Sequence, residues 1–95
     1  MSTRSHMIYA HTAGSDGYDF FYLYYFPGGE SIYIKWRACG GEVQEFGLEP
    51  VPMLDWVERQ LELTDGDPVA RCVWDAAAKC LRRRIRKWLE ESQER

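Results

Sequence analysis

Residues 18–26 are almost continuously apolar, apolar and polar side chains alternate along residues 31–38, and past residue 50 the period lengthens to that of a helix. YDFFYLYYF (18–26) and SIYIKWRA (31–38) read as two strands joined by PGGE (27–30). Gly28-Gly29 suits a two-residue hairpin loop, because glycine accepts the positive φ that such loops need. That loop sets a register. Tyr25 faces Ile32, Leu23 faces Ile34 and Phe21 faces Trp36 on one side, which reads as core. Phe20 faces Arg37, Tyr22 faces Lys35, Tyr24 faces Tyr33 and Phe26 faces Ser31 on the other. ACGGEV (38–43) repeats the device. With Gly40-Gly41 as a second two-residue loop, Ala38 faces Val43 on the core side, while Lys35 faces Phe46 and Tyr33 faces Leu48 on the second side. A bulge at either glycine pair reverses part of this assignment. MIYAHT (7–12) predicts a short strand and GSDG (14–17) a turn.

Pro50 and Pro52 end the strand region. A first helix is expected from about Pro52 to Leu63, with Leu54, Val57 and Leu61 at helical spacing. Thr64-Asp65-Gly66 breaks it. Asp67-Pro68 has the form of an N-cap and first helical residue for a long second helix, to about Glu91. Its apolar stripe is Ala70, Trp74, Ala77, Leu81, Ile85 and Trp88, and Lys79, Arg82, Arg83 and Arg86 lie opposite. The expected fold is α+β: an antiparallel β-meander of three or four strands with two C-terminal helices packed on one face. Ninety-five residues make one domain with little core to spare, and the polar residues 1–6 are expected to fray.

Seven of the nine residues at 18–26 are aromatic, which is more than one core-facing side of a strand can use. The pattern leaves Tyr18, Phe20, Tyr22, Tyr24, Phe26, Tyr33, Phe46 and Leu48 on the second face, interleaved with Lys35 and Arg37. Each buried aromatic covers on the order of 150–250 Å². Even half-exposed, several of them exceed the apolar patch that a soluble monomer normally shows. The plainest reading is that the chain covers this face itself, with Met7, Ile8 and Tyr9 or with the C-terminal helix. Phe and Tyr also favour strands in their own right. The functional readings are a protein interface, where rigid aromatic anchors carry the energy, and a stacking platform for bases. The chain lacks the RNA-recognition motif of Gly, aromatic and basic residues in fixed order. A protein partner is therefore favoured over nucleic acid.

Charge changes this picture in part. The net charge is −3, but residues 1–68 carry four Lys/Arg against eleven Asp/Glu, whereas residues 69–95 carry eight against four. The acidic part repels a phosphate backbone. Glu42, Glu45, Glu49, Asp55, Glu58 and Glu62 offer a surface that mimics phosphates toward a nucleic-acid-handling complex. KCLRRRIRK (79–87) supplies the opposite sign. It reads first as a solvated helix face, with Asp75 placed to pair with Lys79 or Arg71 and Glu90 with Arg86. Its alternative use is a nucleic-acid contact through Lys79, Arg82, Arg83 and Arg86.

Catalytic and cofactor signatures are missing from the sequence. His6 and His11 have no Cys, Asp or Glu partner at metal spacing, and there is no CxxC. Cys39 has His11 as its sole candidate base. No phosphate-binding glycine motif opens a helix. Cys72 and Cys80 lie too far apart along one helix to bridge, so the three cysteines read as reduced thiols of a cytoplasmic protein. No apolar run approaches eighteen residues, and MSTRSHM lacks a signal-peptide core, so no membrane role is expected. The expected function is a small non-enzymatic interaction module without cofactor, acting by occlusion of a protein partner. Its partner-binding candidates are Tyr18, Phe20, Tyr22, Tyr24, Tyr33, Lys35, Arg37, Glu42, Glu45 and Glu49. Inhibitors of this size and architecture include bacterial immunity proteins and phage proteins that disable host defence complexes such as CRISPR effectors, an analogy of form only. A homodimer is the other expected use of the aromatic face.

Overall fold

Four strands form one antiparallel sheet in the order of the chain: β1 (His6–Thr12), β2 (Tyr18–Tyr25), β3 (Ile32–Ala38) and β4 (Gln44–Leu48). Two helices follow, α1 (Pro50–Leu63) and α2 (Pro68–Gln93). The computed structural model describes residues 4–12 and 18–93; the GSDG turn and the first three residues of the N-terminus lie outside them.

The β2–β3 register is the one that the sequence predicts: Phe21↔Trp36, Leu23↔Ile34 and Tyr25↔Ile32 on one face, Phe20↔Arg37, Tyr22↔Lys35 and Tyr24↔Tyr33 on the other. The turn differs in detail. Gly29 N–H donates to Phe26 O at 2.9 Å, and Gly28 alone has positive φ, at 85°. Pro27-Gly28 is thus the centre of the turn, Pro supplying the fixed φ of its first central position and Gly the left-handed second.

The β3–β4 register departs from expectation by one residue. Cys39 (φ 50°) and Gly40 (φ 70°) form the centre of the turn, closed by Gly41 N–H to Ala38 O at 2.9 Å. Continued pairing would set Trp36 opposite Val43, but Trp36 lies opposite Gln44. One extra residue on the β4 side moves every β4 side chain to the other face. Phe46 and Leu48 therefore pack against the core, opposite Ile34 and Ile32. Glu45 and Gly47 take the second face, opposite Lys35 and Tyr33.

Both helices pack on the face bearing Phe21, Leu23, Ile32 and Ile34, each of which is buried. α1 begins two residues earlier than the Pro52 expected. Proline is tolerated there because first-turn N–H groups lack helical partners anyway. It contributes Met53 and Val57 to the core, with Leu54, Trp56 and Leu61 half-buried. α2 starts as the sequence predicts: the Asp67 carboxylate accepts from Val69 N–H and Ala70 N–H, both at 3.2 Å. Its predicted stripe is buried from Ala70 to Ile85, joined by Val73 and Ala78, and Trp88 is half-buried. Trp74 is the hub of the core. Its ring meets Phe21, Trp36 and Trp56 at centroid distances of 4.9, 5.8 and 5.6 Å, and its Nε1–H donates to the Tyr18 hydroxyl at 2.8 Å.

Candidate functional site

The second face of the sheet keeps Phe20, Tyr22, Tyr24 and Tyr33 half-buried, although neither helix packs there. Among the described residues no element lies over it. Met7, Ile8 and Tyr9 do not fold across it; they belong to β1 and extend the sheet, with Ile8 and Tyr9 turned to the core. The aromatics shelter one another instead. Phe20 stacks on Tyr22 (5.5 Å, 15°) and Tyr24 on Tyr33 (5.7 Å, 20°), while the exposed Phe26 ring stands edge-on to both Tyr24 and Tyr33. Neighbours at cross-strand and same-face positions lie at the spacing that lets rings stack, so the pleat itself builds the pairs.

Gly47 fixes the Tyr33 ring. A Cβ at residue 47 would stand 2.6 Å from Tyr33 Cε1 and 2.7 Å from Cδ1, closer than real contacts allow. The ring thus lies on bare backbone of the edge strand, in the way an aromatic neighbour covers an edge glycine. No reading of composition points to Gly47; only the corrected β3–β4 register places it opposite Tyr33.

The charged groups of the face are paired within it. Arg37 Nε donates to Asp19 Oδ2 at 2.7 Å, and Gly40 N–H donates to the same oxygen at 2.8 Å. The Arg37 guanidinium also lies 5.8 Å from the Phe20 ring centroid. Lys35 Nζ stands 3.9 Å from Glu45 Oε2, which accepts from the Tyr24 hydroxyl at 3.1 Å. Arg37 and the Gly40 amide hold the Asp19 carboxyl below the usual carboxylate range. Burial, followed by the neighbouring Glu45 carboxylate, pushes the Tyr24 phenol above its ordinary range, so Tyr24 remains a donor.

Asp19 also explains a correction. Tyr18 pairs with Ala38, but Phe20 pairs with Arg37, so Asp19 is an extra residue in β2. That bulge turns Tyr18 from the predicted second face onto the helix side, where it meets Phe21 edge-on at 6.0 Å and accepts from Trp74. Because the folded state holds Asp19 ionised, its contribution to stability is present above the ordinary carboxylate pKa and is lost as pH falls through the depressed folded value. Asp19→Asn is expected to flatten the acid limb of stability against pH below about pH 4. Urea midpoints measured across that range check it, and an acid limb identical in the two proteins would remove Asp19 from the account.

The six acidic candidates do not gather into one patch. Glu45 is tied to Lys35 and Tyr24 on the open face. Glu42 is exposed in the β3–β4 connection, and Glu49 is exposed where the chain enters α1. Asp55, Glu58 and Glu62 lie in the helical layer, where Glu58 stands 3.8 Å from Arg82. The basic quartet is divided as well. Lys79 pairs with Asp75 at 3.0 Å and Arg82 with Glu58, while Arg83 and Arg86 are exposed without a carboxylate partner among the described residues.

Arg84, absent from the predicted quartet, is the better-placed cation. It donates from Nη2 to the Tyr25 hydroxyl, and its guanidinium carbon lies 5.0 Å from the Tyr25 ring centroid and 4.9 Å from that of Trp88. Tyr25 and Trp88 are themselves edge-to-face at 5.0 Å. For the catalytic alternative, His11 lies opposite Phe21 in β1 and Cys39 follows β3, so the width of β2 stands between them. Among the described residues no group of three or more His, Cys, Asp or Glu side chains is placed to hold a metal, and no helix is long and apolar enough to cross a membrane. None of Cys39, Cys72 and Cys80 is disulfide-bonded. No protein-family model matches this chain, nor does any curated protein or solved structure.

Proposed function

We propose that the chain is a protein-docking module that acts by occlusion, through the sheet face built from Phe20, Tyr22, Tyr24 and Tyr33. The observation that carries this reading is the packing of those rings into two stacked pairs with no covering element among the described residues. Stacked rings on a sheet lose little freedom on binding, which is what makes aromatic side chains good anchors. The partner is a protein with an apolar patch and hydrogen-bond acceptors at its rim. Charge supports that choice over a polyanion. Lys35 and Arg37 are neutralised by Glu45 and Asp19, so the face carries no free positive charge to release counterions from phosphates. The activity expected of such a face is to cover or bridge a partner surface, as an inhibitor does. Three cysteines without a disulfide favour a reducing, cytoplasmic setting.

Photo-crosslinking tests the reading directly. A benzophenone side chain replaces Tyr22 in one variant and Arg86, on the helical layer, in another. A foreign protein captured through position 22 and not through position 86 is the expected result. The same partner, once purified, is expected to lose about tenfold or more in affinity for Tyr24→Ala. A crosslinked homodimer through position 22 would assign the face to a second copy. A crosslink to nucleic acid there would replace the protein reading, and equal capture at both positions would sink the face as the docking site.

A further inference from the structure

A second feature, on the edge where β1 meets α2, is independent of the aromatic face. His6, Met7 and Ile8 of β1, the preceding Arg4 and Ser5, and one side of α2 enclose a cavity of about 550 Å³. Its lining includes Arg4, His6, Arg83, Arg84 and Lys87 and, among the described residues, no carboxylate. That one-sided charge is notable in a chain whose net charge is −3. Arg83, Arg84 and Lys87, gathered on one side of α2, repel one another, and an anion bound among them relieves the repulsion.

Arg84 gives the cavity a fixed centre. Its guanidinium rests against both Tyr25 and Trp88 and donates to the Tyr25 hydroxyl, so its plane is set before any ligand arrives. Its Nε is buried and has no acceptor among the described residues. That Nε is closed to a ligand as it is to solvent, so what Arg84 offers an oxyanion in the cavity is the charge of its fixed guanidinium. Arg83 and Lys87, one helical turn apart, stand exposed beside it. The volume exceeds that of a single phosphate and falls within the range of small-molecule sites, and Met7, Ile8 and the Tyr25 ring give the remainder an apolar wall.

We propose that this cavity binds a phosphate-bearing small molecule, with its phosphoryl group held by Arg83, Arg84 and Lys87 and its body lying against Ile8 and Tyr25. Its three cations all lie in the basic run at 79–87, but the wall that faces them comes from β1 at the other end of the chain, so only the folded chain forms the site.

Titration calorimetry of the full chain with inorganic pyrophosphate at an ionic strength of about 0.15 M, where the Debye length is about 8 Å, tests it. One saturable site per chain is expected, with a Kd below about 1 mM. Arg83→Glu and Lys87→Glu are each expected to weaken binding by about tenfold or more. Arg86→Glu makes the same charge change outside the cavity and is expected to leave Kd within about twofold. Arg84→Met, which keeps the aliphatic stem over Tyr25, is expected to abolish binding. Should that variant not fold, the Arg83 and Lys87 arms still decide, since both side chains are exposed. Failure to saturate overturns the proposal, as does an Arg86→Glu effect equal to that of Lys87→Glu. A single-stranded oligonucleotide that binds more tightly than pyrophosphate and depends on Lys79 and Arg86 would also overturn it, in favour of a nucleic-acid contact along the helix.

Discussion

Trp74→Ala is expected to lower the thermal midpoint by about 12–40 °C, the span that follows from a loss of about 3–5 kcal/mol in a domain of this size. Trp74 is 4% exposed and touches Phe21, Trp36 and Trp56, so its removal empties the point where β2, β3, α1 and α2 meet. Truncation also removes the indole N–H that donates to the Tyr18 hydroxyl. A domain of 95 residues has about 5–14 kcal/mol in hand, so the loss takes from about a fifth of the total to all of it. Trp74→Phe separates the two effects. It keeps a ring among the other aromatics, loses only the hydrogen bond and some volume, and is expected to cost about 1–3 kcal/mol. Thermal melts followed by near-ultraviolet circular dichroism read both. A Trp74→Ala midpoint within about 5 °C of the parent would mean that the aromatic cluster does not hold the layers together.

What the sequence reveals of this fold follows a physical division. The β2–β3 pairing is legible because the hydrophobic pattern on both strands demands one register, whatever the turn does. The turn moved by one residue, to Pro27-Gly28, and the pairing did not. β4 offers no such constraint. QEFGL is short, and its polar residues tolerate either face, so the Cys39-Gly40 turn and one extra residue decided the outcome. The bulge at Asp19 escapes notice for a related reason. Tyr18 is amphipathic enough to suit either face, and only its bond to Trp74, 56 positions away in the chain, shows which it takes.

The same division runs through the functional candidates. Phe20, Tyr22, Tyr24, Tyr33, Lys35 and Arg37 come together as their alternation predicts. Glu45 joins them, although the predicted register set it on the opposite side. Charge runs are less informative than alternation. The acidic residues scatter over two layers and the basic helix turns its cations in several directions, because linear density says nothing about which partner each side chain meets. Arg84 is the clearest case. Its importance lies in Tyr25 and Trp88, and neither contact has a signature at the level of charge counting.

Gly47→Val is the sharpest test of the candidate face, because its predicted effect depends wholly on Tyr33. The new Cβ would meet the ring at 2.6 Å, so the ring must leave its seat. Displacing it breaks the stack with Tyr24 and the edge contact with Phe26. The expected cost is about 2–3 kcal/mol, from overpacking together with lost ring contacts. Valine otherwise suits a strand better than glycine, and Gly47 does not have a positive φ, so the backbone itself gives no reason for the penalty. In a Tyr33→Ala background the clash is gone, and Gly47→Val is expected to be neutral or stabilising. The double-mutant cycle should therefore return a coupling of about 2 kcal/mol or more. Chemical denaturation of the four proteins measures it without any partner. A Gly47→Val penalty that persists in the Tyr33→Ala background would mean that the edge strand, and not the ring, rejects the side chain. If the coupling is found, Gly47→Val also becomes a binding probe. Trp36, Trp56, Trp74 and Trp88 all lie on the helix side of the sheet, so tryptophan emission should stay that of the parent while affinity for a captured partner falls about tenfold or more.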